Sequence, residues 1–171
     1  LQTKISDEMQ NNSKTTIVIP FIWPTDDDHI LCIRDDYFDD QGVADKCEDV
    51  ATALNNLKEH VHVNNLFVLA HSMGTLVFRR AMEEWVSLNG VNELPLFNTV
   101  FLVASDLASY RIHRDRTGRY IPMSAFSVVV FYAFTDLPLI GSCFSNLRRR
   151  GPCPPLGLFG IYDLSKVSDN V

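Results

Sequence analysis

The chain has 171 residues, 46% of them hydrophobic and 21% charged, and a formal net charge of −6. That length and balance fit one globular domain with a sizeable core and exclude a disordered chain. The acidic charge argues against a nucleic-acid partner.

In chain order, Leu1 to Ile5 carries no long apolar run of the signal-peptide kind, and the chain does not open on methionine. The natural start is therefore expected upstream, and localisation leans to the cytoplasm. Ile5 to Gln10 reads as the end of a helix, and Thr15 to Ile22 as a strand stopped by Trp23-Pro24. Asp26 to Asp40 is an acidic loop without calcium-loop spacing, expected to be solvated. Val43 to His60 has the spacing of an amphipathic helix, with Val50, Ala53, Leu54 and Leu57 on one side. His60-Val61-His62 resembles a metal pair, but nothing near it completes a site, so no metal and no other cofactor is expected.

Leu66 to Ala70 is an uninterrupted apolar run of the kind buried on both faces of a parallel sheet, and it leads into Ala70-His71-Ser72-Met73-Gly74. Gly74 to Leu88 then reads as a helix with Leu76, Val77, Ala81 and Trp85 on its apolar stripe. A sharp strand-to-helix turn is how an enzyme displays a nucleophilic serine. It forces the serine into an unfavourable backbone conformation and crowds the positions two before and two after it, so both must be small. Here they are Ala70 and Gly74. Ser72 is the candidate nucleophile, and Met73 would offer its backbone N–H to a developing oxyanion, aided by the positive end of the helix dipole. The competing interpretation is an ordinary turn whose serine caps the helix.

Further on, Phe97 to Ala104 reads as a strand, with Ser105-Asp106 at its end. The basic stretches at Arg111 to Arg116 and Arg148 to Arg150 are assigned to solvated loops. Ile121 to Phe144 is the most apolar region, but Asp136, Pro138 and Gly141 interrupt it and Val128 to Phe134 is β-branched and aromatic. A buried strand and a loop are expected there, and no integral membrane segment. Ser142 to Arg149 should be helical, and Leu158 to Tyr162 a last short strand. Cys32, Cys47, Cys143 and Cys153 form no C-x-x-C pair and are expected as reduced thiols. Alternating strand-like and helix-like segments predict a parallel sheet covered by helices.

With Ala-His-Ser-Met-Gly at residues 70 to 74, the chain resembles the alpha/beta-hydrolase superfamily, and within it a bacterial esterase/lipase-like group of uncharacterised function. The likeness runs from about Thr16 to about Ser165, and also rests on Phe21 to Pro24, Phe101 to Asp106 and Val128 to Asp136. It implies an α/β three-layer sandwich with a mostly parallel sheet, in partial form. The fold takes its second oxyanion donor from a loop that precedes the first helix of this chain, so the first strands are expected to be lacking. It also implies the triad order serine, acid, histidine. Asp136 is the preferred acid because it follows the strand two beyond the nucleophile strand; Asp106 is the alternative.

The five histidines are His29, His60, His62, His71 and His113, and none follows Asp136. His71 belongs to the elbow and points away from the partner position; His113 would serve only if its loop folded back over the elbow. The resemblance puts the triad histidine just after a segment like Ile161 to Ser165, so it is expected outside this chain, and the chain alone is expected to be nearly inactive. Two functions remain open. One is a serine hydrolase of carboxylic esters, lipid or other acyl esters included, whose partner is a small-molecule or lipid ester; the other is a non-catalytic hydrolase-fold binding module. Substrate identity and oligomeric state are not encoded in any motif here.

Overall fold

A computed structural model of the chain describes residues 16–22, 42, 48–60, 65–150 and 153–169. The helix end expected at Ile5 to Gln10, the Trp23-Pro24 stop, the acidic loop, Cys32, Cys47 and His62 lie outside them. Helix α1 (Asp49–His60) is followed by strand β1 (Phe67–His71) and helix α2 (Gly74–Asn89). Strand β2 (Phe97–Val103), the one-turn helix α3 (Tyr120–Met123) and strand β3 (Ala125–Phe131) come next, then helices α4 (Leu137–Arg150) and α5 (Leu156–Phe159). The strands form one parallel sheet in the order β1-β2-β3.

Helix α2 organises the core. Leu76, Val77, Phe78, Ala81, Met82 and Trp85 are buried along it, with Trp85 fully enclosed, because residues three and four apart share a helix face. They meet one face of the sheet, where Val68, Val100 and Val128 stand in one row and Ala70, Leu102 and Val130 in the next. Burying a side chain of this size stabilises the fold by about 1.5–3 kcal/mol each. Gly90, at φ 88°, ends α2 by adopting a conformation other residues resist, and its N–H closes on the Val86 carbonyl at 2.8 Å. Helix α1 is tied to α2 by the Lys58 ammonium 5.3 Å from the Trp85 ring centre, and Glu48, just before α1, forms an ion pair with Arg80.

Four expectations are corrected. Residues 16–22 are not a strand: they take no place in the β1-β2-β3 sheet, and Ile17, Ile19 and Ile22 are exposed. Strand β1 is not buried on both faces, since it lies at one end of the strand order and leaves Phe67 and Leu69 58% and 67% exposed. The third strand starts three residues before the expected Val128, because its register is set by β2, where Phe97 pairs with Ala125 and both the Leu96 and Phe97 N–H groups reach the Ser124 carbonyl. The last segment, Leu158 to Tyr162, is not a strand: Leu158 and Phe159 belong to a helical turn in which the Phe159 N–H bonds to Pro155 and the Gly160 N–H to Leu156, and Gly160 at φ 70° stops it.

Candidate active site

Parallel strands put all their carboxyl ends at one edge, and the register aligns His71 with Val103 and Val103 with Phe131. Ser72, Ala104 and Tyr132 therefore follow the three strands at one level. Neighbouring strands lie about 4.8 Å apart, so the ends of β1 and β3 are separated by about 10 Å.

Ser72 has φ 51°, a left-handed conformation that costs a residue with a side chain about 1–3 kcal/mol. Its main chain is held on both sides. The Ser72 N–H donates to the Val103 carbonyl at 3.0 Å, and the Ser72 carbonyl accepts from the Thr75 N–H at 3.1 Å, the Thr75 hydroxyl at 2.8 Å and the Asp106 N–H at 3.4 Å. At about 1 kcal/mol net for a typical hydrogen bond, these offset the strain. The side chain is half-buried and does not cap α2: the cap position is Met73, without a side-chain cap bond. Among the described residues neither the Ser72 hydroxyl nor the Met73 N–H is engaged by another group. Ala70 is buried and His71 exposed, so the imidazole faces solvent.

The two candidate carboxylates occupy different surroundings. Asp136 is half-buried and caps α4: its Oδ1 accepts the Leu139 N–H at 3.0 Å, and its carbonyl accepts the Ile140 N–H. Helix α4 consequently starts five residues before the expected Ser142. Asp106 is 4% exposed and accepts a hydrogen bond from the Ser142 hydroxyl, on α4. A carboxylate thus anchors α4 at its first turn and again near its middle. Beside this contact Cys143 is a thiol; burial pushes its pKa up, and the neighbouring Cys153 and Asp106 push it further the same way.

Helix α5 crosses the strand ends. Its Gly157 N–H bonds to the Ser105 carbonyl and the Gly157 carbonyl accepts the Ala133 N–H, at 2.8 and 2.9 Å. A methyl group on Gly157 would lie 2.2 Å from the Ser105 nitrogen, so glycine is required for this approach. The helix carries Phe159 into a run of ring contacts, Tyr132 to Phe134, Phe134 to Phe159 and Phe159 to Tyr162, at centroid separations of 5.9, 6.0 and 6.2 Å. All four rings are exposed.

The His113 Nε2 is buried and makes no hydrogen bond to Ser72 or to either candidate carboxylate. The His113 segment leaves the sheet edge through the turn Ser109–Ile112 and passes beside α2, where burial lowers the pKa of the Arg79 guanidinium, against the attraction of Glu83 and with a smaller push the same way from Arg111. Sequence reasoning missed Thr75, Ser105, Ser142 and Gly157. A threonine three residues into a turn-to-helix junction is a local signal, because its hydroxyl reaches the carbonyl three residues back. The other three act across long sequence separations and carry no local signal.

Among the described residues no group of three His, Cys, Asp or Glu side chains could hold a metal ion, and no helix is long and apolar enough to cross a membrane. No curated protein and no solved structure matches the chain. The model of one family, described as "Alpha/beta hydrolase of unknown function (DUF900)", matches residues 2–156. The strained serine at the end of a parallel strand, the helix it feeds and this match over most of the sequence lead to one statement: the chain belongs to that family of alpha/beta hydrolases.

Proposed function

We propose that the protein is a serine hydrolase of carboxylic esters in which Ser72 is the nucleophile. The observation that carries this reading is the φ of 51° at Ser72, at a strand-to-helix junction whose helix it does not cap. In the proposed reaction the Ser72 hydroxyl attacks the ester carbonyl while a histidine takes its proton. The Met73 N–H, at the positive end of α2, stabilises the tetrahedral oxyanion, and the same histidine returns the proton to the leaving alkoxide. Water then repeats the sequence on the acyl-enzyme.

Asp136 is assigned to hold the histidine in its reactive tautomer. Its support is position: it follows the strand two places from the nucleophile strand, and capping α4 through Oδ1 leaves Oδ2 to accept from an imidazole. None of the histidines of this sequence follows Asp136, so the base is assigned to the parent protein outside these 171 residues. The acyl group is assigned to the exposed aromatic rings of Tyr132, Phe134, Phe159 and Tyr162, which offer an apolar surface at the same sheet edge as Ser72.

A fluorophosphonate probe on the full-length protein tests this. Covalent label on Ser72, absent from Ser72→Ala, is the expected result, together with faster hydrolysis of longer-chain than of acetyl esters. No label on Ser72 while a control serine hydrolase is labelled in the same tube would overturn the reading in favour of a non-catalytic binding module.

A further inference from the structure

The Ser72 carbonyl sits at the end of a directed chain of hydrogen bonds that enters from the neighbouring strand end. The Leu107 N–H donates to the Ser105 hydroxyl at 3.3 Å, the Ser105 hydroxyl donates to the Thr75 hydroxyl at 3.1 Å, and the Thr75 hydroxyl donates to the Ser72 carbonyl at 2.8 Å. The direction is fixed by inventory. A carbonyl only accepts, an N–H only donates, and each hydroxyl has one proton to give, so only one arrangement satisfies every member. Thr75 and Ser105 are both fully buried, which removes water as a competing partner.

We infer that Thr75 and Ser105 are positioning residues for the nucleophile, an inference that rests on the reading of Ser72 given above. The Thr75 hydroxyl grips the carbonyl of the strained residue itself. It therefore holds the peptide that joins Ser72 to Met73, and with it both the direction of the Ser72 hydroxyl and that of the Met73 N–H. Ser105 orients the Thr75 proton toward that carbonyl rather than elsewhere. The relay also joins the end of β2 to the first turn of α2, so the elbow is set by the sheet as well as by its own turn.

Full-length protein carrying Thr75→Val, Thr75→Ser or Ser105→Ala tests this. The readouts are the rate of fluorophosphonate labelling of Ser72, kcat and KM on an activated aryl ester, and the unfolding midpoint. Thr75→Val keeps the shape and removes the hydroxyl; labelling rate and kcat should fall about 10- to 100-fold, the scale of a small misplacement of reacting groups, with KM little changed. Thr75→Ser should restore both, and the Thr75→Val/Ser105→Ala double variant should be no slower than Thr75→Val alone, because the two hydroxyls act as one unit. Labelling of Thr75→Val at the parental rate, or a Thr75→Ser protein as slow as Thr75→Val, overturns the relay while leaving the nucleophile in place. Should Thr75→Val fail to fold, Ser105→Ala at an unchanged midpoint decides: slower labelling supports the relay and parental labelling overturns it. A parental protein that resists the probe removes both the nucleophile reading and the relay.

Discussion

Asp136 and Asp106 separate at the level of single atoms. Removing the Asp136 side chain altogether would confuse two effects, since Asp136→Ala loses the cap of α4, at a cost of about 1 kcal/mol, along with any role toward a histidine. Asp136→Asn does not. Asparagine is as good a cap as aspartate, so its amide oxygen keeps the Leu139 N–H while the negative charge facing an imidazole is gone. In the full-length protein Asp136→Asn should lower kcat by about 10⁴ at an unchanged unfolding midpoint. Asp106→Asn still offers an oxygen to Ser142, and its kcat loss should be far smaller. The reverse order in steady-state kinetics would transfer the orienting role to Asp106. The elbow was legible in the sequence because its constraint is local: a small residue on each side of the serine, an apolar run before it and a helical stripe after it. The surroundings of Asp106 were not legible, because Ser142 reaches it across the fold, whereas the cap that Asp136 makes to Leu139 is a local contact.

Helix α5 shows what local patterning leaves out at the scale of an element. Leu158 to Tyr162 has the composition of a strand, yet α5 lies across the ends of β2 and β3 because Gly157 lets its backbone touch that of Ala104 and Ser105. Two glycines then make opposite predictions. Gly157→Ala would place a methyl group 2.2 Å from a backbone nitrogen and 2.3 Å from a backbone carbon, atoms that cannot rotate away. It should cost about 3 kcal/mol or more in denaturant-induced unfolding. Gly141, inside α4, has no atom within 4 Å of its missing Cβ, and Gly141→Ala should stabilise by up to about 1 kcal/mol through helix propensity alone. Equal midpoints for the two variants would show that α5 does not rest on the strand ends. The early start of β3 has the same origin as α5: contacts with β2 decide where the ladder begins, and no pattern within residues 125 to 134 announces them.

Across the whole sheet, side-chain alternation turns one face toward α2 and the other away from it. The first face is closed, with Ala70, Val100, Leu102 and Val128 all buried. On the second, Phe67 and Leu69 of β1 and Phe131 of β3 are 58%, 67% and 53% exposed. An apolar run such as Leu66 to Ala70 states that both faces avoid water but not what covers them, which is why the sequence alone overstated the burial of β1. Exposed aliphatic and aromatic side chains on one sheet face make a surface that takes up apolar dyes. The 171-residue chain should therefore enhance the fluorescence of an anilinonaphthalene sulfonate dye under native conditions. Leu69→Lys should reduce that signal while shifting stability by no more than about 0.5 kcal/mol, because the side chain it replaces is already in water. A large loss of stability in Leu69→Lys would mean that Leu69 is packed in solution, and that the second face of the sheet is closed as firmly as the first.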